Sequence, residues 1–300
     1  MMPRTMAKGA EVIRTYDDLR WYNKKFVEGH FNLLMVVGPP GVAKSELMKR
    51  TVGERVYWIE GRSTAFEVYC MLYRERRRRF LHIVLNDAQS LWDRKGDEGG
   101  AGISLLKQLC ETQREKTLSW QSKAAERAGV EPSFRLSCNV AIIANAWMPT
   151  GAHAEALEDR AHKVYFDPTA EEVHRYVEGW FGDQEVYDFV GQHLHLITRP
   201  SIREYYVLAQ ERKSAGPRPD GEDWQAYLLR RMDLHGPALL AARLLVDNRY
   251  RTMQEKEYAF IEQGGGCRST FYDHVRRLRS RANYPTLLQL AGLSDSPPRA

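Results

Sequence analysis

The sequence predicts an α/β fold: a mostly parallel sheet covered by helices on both faces, followed by helical modules. Three observations carry this expectation. Leu33–Val37, Leu81–Leu85 and Val140–Ala144 are short, continuous apolar runs, as strands buried on both faces require. Segments of helical periodicity separate them, which is the alternation of a parallel sheet. A glycine-rich turn stands between the first run and the helix after it.

Taken in order, the chain opens with a helix from about Tyr16 towards Glu28, with Asp17 or Asp18 as its cap. A strand follows over Asn32–Val37, then the turn, then a helix over Ser45–Glu54. Val56–Ile59 reads as a strand, Ala65–Arg77 as a helix and Leu81–Leu85 as a strand. Asp93–Gly102 reads as a flexible loop by composition, and a helix runs from about Ile103 to Glu115. Val140–Ala144 and the shorter Val164–Phe166 complete the strands. Asp167-Pro168-Thr169 ends the sheet, because Pro168 cannot donate to a ladder and Thr169 can cap the next helix. The pattern is then helical to about Gly236, with a break at Ser214–Gly221. Pro237–Arg281 is helical again around a triple glycine at Gly264–Gly266, and Ser294–Ala300 reads as a frayed tail. The expected organisation is a lead-in helix (1–30), an α/β core (31–167), a helical lid (168–236) and a C-terminal helical module (237–300).

Composition narrows the function classes. An apolar fraction of 43% and a charged fraction of 28% belong to a folded globular chain. No early apolar run is long enough to span a bilayer, and no secretory signal is read, so the expectation is a cytoplasmic protein without membrane contact. Cys70, Cys110, Cys138 and Cys267 have no zinc-ligand or redox spacing and read as reduced thiols. A net charge of +5 permits contact with nucleic acid without demanding it.

The sharpest signal is Gly38-Pro39-Pro40-Gly41-Val42-Ala43-Lys44-Ser45, which follows a strand and opens a helix. Small residues let backbone N–H groups turn inward onto phosphate oxygens, and the helix start adds its positive dipole end. Lys44 would reach the β- and γ-phosphates and Ser45 would hold Mg²⁺. Ala43 occupies the position of a second glycine, which a negative φ would allow. This segment resembles the Walker A motif of AAA+ ATPases, and its Ala-Lys-Ser ending resembles MCM helicases and MoxR-type ATPases. The resemblance covers about residues 30–210. It implies a P-loop fold of the AAA+ type, ATP and Mg²⁺ as cofactors, and a homo-oligomer in a ring or filament.

The later family positions follow in family order. His82-Ile83-Val84-Leu85-Asn86-Asp87 resembles Walker B, whose two acids support Mg²⁺ and orient the attacking water. Asn86 stands at the first acid position without negative charge, and Asp87 is shorter than the usual Glu, so binding is expected ahead of fast hydrolysis. Asn145 matches sensor 1. Arg160 resembles the arginine finger that acts on a neighbouring subunit's phosphate; the alternative is a surface ion pair with Glu158 or Glu155. Arg203, in Pro200-Ser201-Ile202-Arg203, resembles sensor 2, with Arg199 as its competitor.

Three features point towards DNA. Lys116–Cys138 resembles the insertion before sensor 1 of MCM and superfamily 3 helicases. Lys116 and Lys123 would meet phosphates and Trp120 would stack on a base, unless Trp120 is packed as core. Tyr258–Arg281 resembles a helix-turn-helix in which Phe271, Val275 and Leu278 face the core. Arg268, Thr270, Tyr272, Arg276, Arg277, Arg279 and Arg281 would then be available to DNA, or form a solvated basic face. Arg74–Arg79 contains five arginines, a run more often simply solvated. The expected function is an ATPase that remodels or moves along DNA, with a replication or transposition protein as partner. The alternatives are a slowly hydrolysing nucleotide switch and a MoxR-like protein remodeller.

Overall fold

The computed structural model describes residues 9–61, 63–88, 91–92, 97–147, 152–194, 197, 199–214, 224, 234–281, 287–288 and 291; the side chains of 97–99 and 152–154 are outside that description. Residues 215–221 of the expected break and the tail Ser294–Ala300 also lie outside it. The chain divides into two compact units, Met1–Tyr176 and Val177–Ala300.

The first unit is an α/β domain. Its strands are β1 (Glu11–Ile13), β2 (Leu33–Val37), β3 (Val56–Glu60), β4 (Leu81–Asn86), β5 (Glu115–Ser119), β6 (Ser133–Ala144) and β7 (His162–Phe166). Six of them form a parallel sheet in the order β1-β7-β2-β6-β4-β3, and β5 pairs antiparallel with the start of β6. β2 is at most 2% exposed at each of its five residues, because strands cover both of its edges and helices both of its faces. Side chains of β2, β4 and β6 share one core with α3 (Ala65–Glu75) and α4 (Asp97–Leu109). Each buried aliphatic side chain there contributes about 1.5–3 kcal/mol relative to leaving it in water.

The helix α1 (Tyr16–Val27) is capped by Thr15, which accepts from the Asp18 amide at 3.1 Å, so neither Asp17 nor Asp18 is the cap. A capping box of Thr64 and Glu67 opens α3. Helix α4 begins at Asp97, inside the stretch expected as loop; residues 93–96 of that stretch are outside the described residues. It also ends at Leu109 rather than Glu115, because Glu115–Ser119 alternates exposed and buried residues and pairs with β6. The 116–138 insertion is therefore a hairpin of β5 and β6 with the short helix α5 (Lys123–Arg127) between them. Thr169 accepts from the Glu172 amide at 3.3 Å at the start of α7 (Ala170–Glu178), the capping that the sequence predicts.

The second unit is helical among the described residues: α8 (Gln184–Gln192), α9 (Ile202–Lys213), α10 (Gly236–Val246), α11 (Met253–Glu262) and α12 (Arg268–Arg279). Phe189 of α8 shares a core with Leu239, Ala242 and Leu278. A second core joins Ala241 and Leu244 of α10, Ala259 and Phe260 of α11, and Phe271 and Val275 of α12. Phe271, Val275 and Leu278 are 0, 4 and 2% exposed, so the predicted inner face of α12 is the inner face observed. No helix of the described residues is long and apolar enough to cross a membrane.

Candidate functional site

The site lies at the carboxyl ends of the parallel strands, where open α/β sheets place their ligands. Pairing aligns four strand ends: Val37 with Ala144, Asn86 with Ile143, and Glu60 with Asn86. The residues that follow, Gly38, Asn145 and Asp87, therefore emerge on one edge. The Gly38 amide donates to Ala144 O at 3.3 Å and the Asp87 amide to Ile143 O at 3.1 Å, which pins these exits to β6.

The loop Gly38–Ala43 leads into α2 (Lys44–Val52). Gly38 cannot carry a side chain, since a Cβ would lie 2.2 Å from Phe166 O. Pro40 is exposed, Pro39, Gly41 and Ala43 are half-buried, and Val42 is fully buried. Ala43 has φ +60 and ψ 23, so the expected negative φ is not found: the chain takes the left-handed turn with an alanine. That conformation costs an L-residue roughly 1–2 kcal/mol. From α1, the Tyr16 hydroxyl donates to Val42 O at 3.2 Å, bracing the loop from outside.

Lys44 is 7% exposed and folds back over the loop. Its Nζ donates to Gly38 O at 2.9 Å, Pro39 O at 2.8 Å and Asn145 Oδ1 at 3.1 Å. Asn145 Nδ2 in turn donates to Asp87 Oδ1 at 3.4 Å. Ser45 Oγ donates to Asn86 Oδ1 at 2.5 Å, and Asn86 Nδ2 donates to Glu60 Oε1 at 3.2 Å. The structure thus brings Lys44, Ser45, Asn86, Asp87 and Asn145 into two hydrogen-bonded chains that meet at the first turn of α2. Asp87 has φ +51, a left-handed backbone rare for a residue with a side chain and concentrated at functional sites.

These groups fit a nucleotide and a hard divalent cation. Glycine holds the loop where a Cβ would collide, a helix starts at its end, and an ammonium group already bridges loop carbonyls. The hydroxyl, amide and carboxylate oxygens of Ser45, Asn86 and Asp87 are the donor type magnesium takes. Two participants carry no motif in the sequence. Glu60 could be found only from the pairing of β3 with β4, and Tyr16 only from the packing of α1.

The remaining predicted residues are spread wider. Arg160 ends α6 (Ala152–Arg160) and is half-buried; its Nη1 donates to Lys107 O at 3.4 Å, while Glu158 accepts from Trp147 Nε1 at 2.9 Å. Arg203 is exposed in the first turn of α9, capped by Ser201, and Arg199 is exposed just before it. In the hairpin, Lys116 is fully buried and donates to Glu111 O at 2.9 Å, so it cannot meet a phosphate. Trp120 is half-buried, with ring centroids 5.8 Å from Phe66 and 6.0 Å from Tyr69, so it is packing rather than a free stacking platform. Lys123 is exposed. On α12, Arg268, Arg276, Arg277 and Arg279 are exposed, while Thr270 and Tyr272 are half-buried, as is Arg281 just past its end. Arg268 pairs with Glu257 at 3.7 Å and Arg276 with Asp273 at 3.3 Å. In the Arg74–Arg79 run, Arg76 stacks on the Tyr73 ring at 3.6 Å and Arg78 pairs with Glu75 at 2.5 Å.

No protein-family model matches this chain, and no curated protein matches it. Among solved structures, it is similar to a chain of the HORMA:CdnC:Trip13 complex of Escherichia coli MS115-1, at 11% identity over 73% of this chain and 88% of that one, with a TM-score of 0.37. It is similar to a Walker-type ATPase of Pyrococcus abyssi, at 13% identity over 97% and 98% of the two chains, TM-score 0.37. It is also similar to PCH-2 of Caenorhabditis elegans, at 14% identity over 88% of this chain and 68% of that one, TM-score 0.31.

Proposed function

We propose that this chain is a P-loop ATPase of the AAA+ type that assembles into an oligomer and works on DNA. The observation that carries the nucleotide reading is the convergence of Lys44, Ser45, Asn86, Asp87 and Asn145 from three neighbouring strand ends. Gly38–Ser45 would wrap the phosphates, with Lys44 released from its loop carbonyls to pair with them. Ser45, Asn86 and Asp87 would hold Mg²⁺, which supplies positive charge to the phosphate oxygens when bound. Asp87 and Asn145 are already hydrogen-bonded to each other, a pair suited to hold a water and accept its proton. Arg160 would act on the site of the neighbouring subunit, and Arg203 would couple the helical unit to nucleotide state. The exposed arginines of α12 support DNA as the object of the work.

One observation favours a slower device. Asn86 is neutral and committed on both sides, to Ser45 and to Glu60, so the first acid position offers no charge of its own. The second reading is therefore a nucleotide switch that binds DNA and a partner while hydrolysing slowly.

ATPase rate separates the two. It is measured with and without single- and double-stranded DNA across protein concentration, beside Lys44→Ala and Arg160→Ala. A motor shows DNA stimulation, a rate that climbs with assembly, and a loss of roughly 10³-fold or more on removing Arg160. A background rate in every condition, despite ATP binding, sinks the motor and leaves the switch.

A further inference from the structure

We propose that Glu60 supplies the negative charge that Asn86 lacks at the magnesium site, acting through Asn86 as a positioning residue; this rests on the nucleotide-site reading above. Glu60 ends β3 directly beside Asn86 in the β3–β4 pairing, so backbone register, not a chance rotamer, brings them together. The amide of Asn86 is read on both sides. Its Oδ1 takes the Ser45 hydroxyl at 2.5 Å and its Nδ2 meets the Glu60 carboxylate at 3.2 Å. A carboxylate only accepts, so Glu60 dictates that the nitrogen faces it and the oxygen faces Ser45. Without Glu60 the amide could turn its nitrogen towards the cation, where a donor is useless.

The same contact places a formal charge one hydrogen bond behind a neutral ligand. Carboxylates behind a ligand raise its basicity and orient it, and losing such a partner costs about 10–100-fold in metal affinity. Lys49 reaches the carboxylate from α2, the helix whose first two residues are Lys44 and Ser45. Its Nζ lies 2.9 Å from Glu60 Oε1 and 4.9 Å from the Trp58 ring centroid. Lys49 offsets part of that charge. Removing the charge of Glu60 and removing the charge of Lys49 therefore act on the metal in opposite directions.

The test uses the full chain, a fluorescent ATP analogue and a magnesium titration from an EDTA baseline, with Mn²⁺ electron paramagnetic resonance as a second readout. Glu60→Gln keeps the size and raises the metal concentration for half-maximal tightening about 10-fold, while metal-free nucleotide affinity does not fall, because the charge removed has the same sign as the phosphates. Lys49→Met lowers that concentration. Asn86→Asp added to Glu60→Gln moves the charge inward and restores the requirement. An unchanged midpoint in Glu60→Gln, or shifts of the same sign in Glu60→Gln and Lys49→Met, overturns the proposal while nucleotide binding stands. No binding of the analogue by the unaltered chain, with or without metal, overturns both.

Discussion

Ala43 and Cys267 each sit at the start of a helix, and each carries a local cost or property that a distant contact would not reveal. Ala43 takes a left-handed turn that glycine adopts without strain, so Ala43→Gly removes roughly 1–2 kcal/mol of strain and returns part of it as unfolded-chain entropy. The expected outcome is a gain of about 0.5–1 kcal/mol in urea unfolding, and a loss of stability would contradict the strain. The Cys267 thiol is pulled down to about 6, first by hydrogen bonding with the Ser269 hydroxyl at 3.0 Å and then with Thr270. Burial instead pushes Cys110 up to about 12 and Cys138 up to about 11. Because the thiolate is the nucleophile, iodoacetamide should label Cys267 first, with a rate that rises through about pH 6 and levels by pH 8. A rate still climbing at pH 8–9 would show an ordinary thiol. At this scale the sequence shows Lys44, Ser45, Asn86, Asp87 and Asn145, because motif spacing marks them. Glu60 is a single acid at a strand end; its meaning comes from the neighbouring strand, which no spacing along the chain encodes.

Among elements, the buried strands β2, β4 and the second half of β6 were legible because continuous apolar runs mark strands covered on both faces. β1 and β5 were not. β1 has three residues, too few for a pattern, and β5 (Glu-Lys-Thr-Leu-Ser) hides a lysine on its inner face. That lysine, Lys116, looks like a surface cation in sequence and becomes core because its stem is covered and its ammonium reaches Glu111 O. The start of α4, Asp97–Gly102, was hidden by its glycines; at Gly102 a Cβ would lie 2.1 Å from Leu91 O, so glycine there serves close packing rather than looseness. The hairpin now yields a contrast. Trp120→Ala removes ring packing on α3 and should cost about 1–3 kcal/mol in thermal or urea unfolding. Lys123→Ala, on an exposed position, should change stability by less than about 0.5 kcal/mol. Equal effects from both would mean that the tryptophan is not held against α3.

For the whole molecule, a net charge of +5 says little, because charge that matters to a polyanion must be concentrated rather than summed. The second unit concentrates it: α12 turns Phe271, Val275 and Leu278 inward and leaves Arg268, Arg276, Arg277 and Arg279 exposed. Arg268 and Arg276 have carboxylate neighbours at 3.7 and 3.3 Å; the Arg276–Asp273 pair is exposed on both sides, worth at most about 1 kcal/mol, and a phosphate can displace it. If this face carries DNA, each arginine on a phosphate releases counterions, and the slope of log K against log salt changes by about 0.9 per contact. The doubly substituted Arg276→Ala, Arg277→Ala chain should therefore bind duplex DNA more weakly, with a slope shallower by about 1.8 units. The proposed nucleotide groups Gly38–Ser45, Asn86, Asp87 and Asn145 are unaltered in this variant, so its affinity for a fluorescent ATP analogue should stay the same. Weakened binding with an unchanged slope would place these arginines off the phosphates. Unchanged DNA binding would leave the basic face as a solvated surface and return the question of what the chain acts on to the first unit.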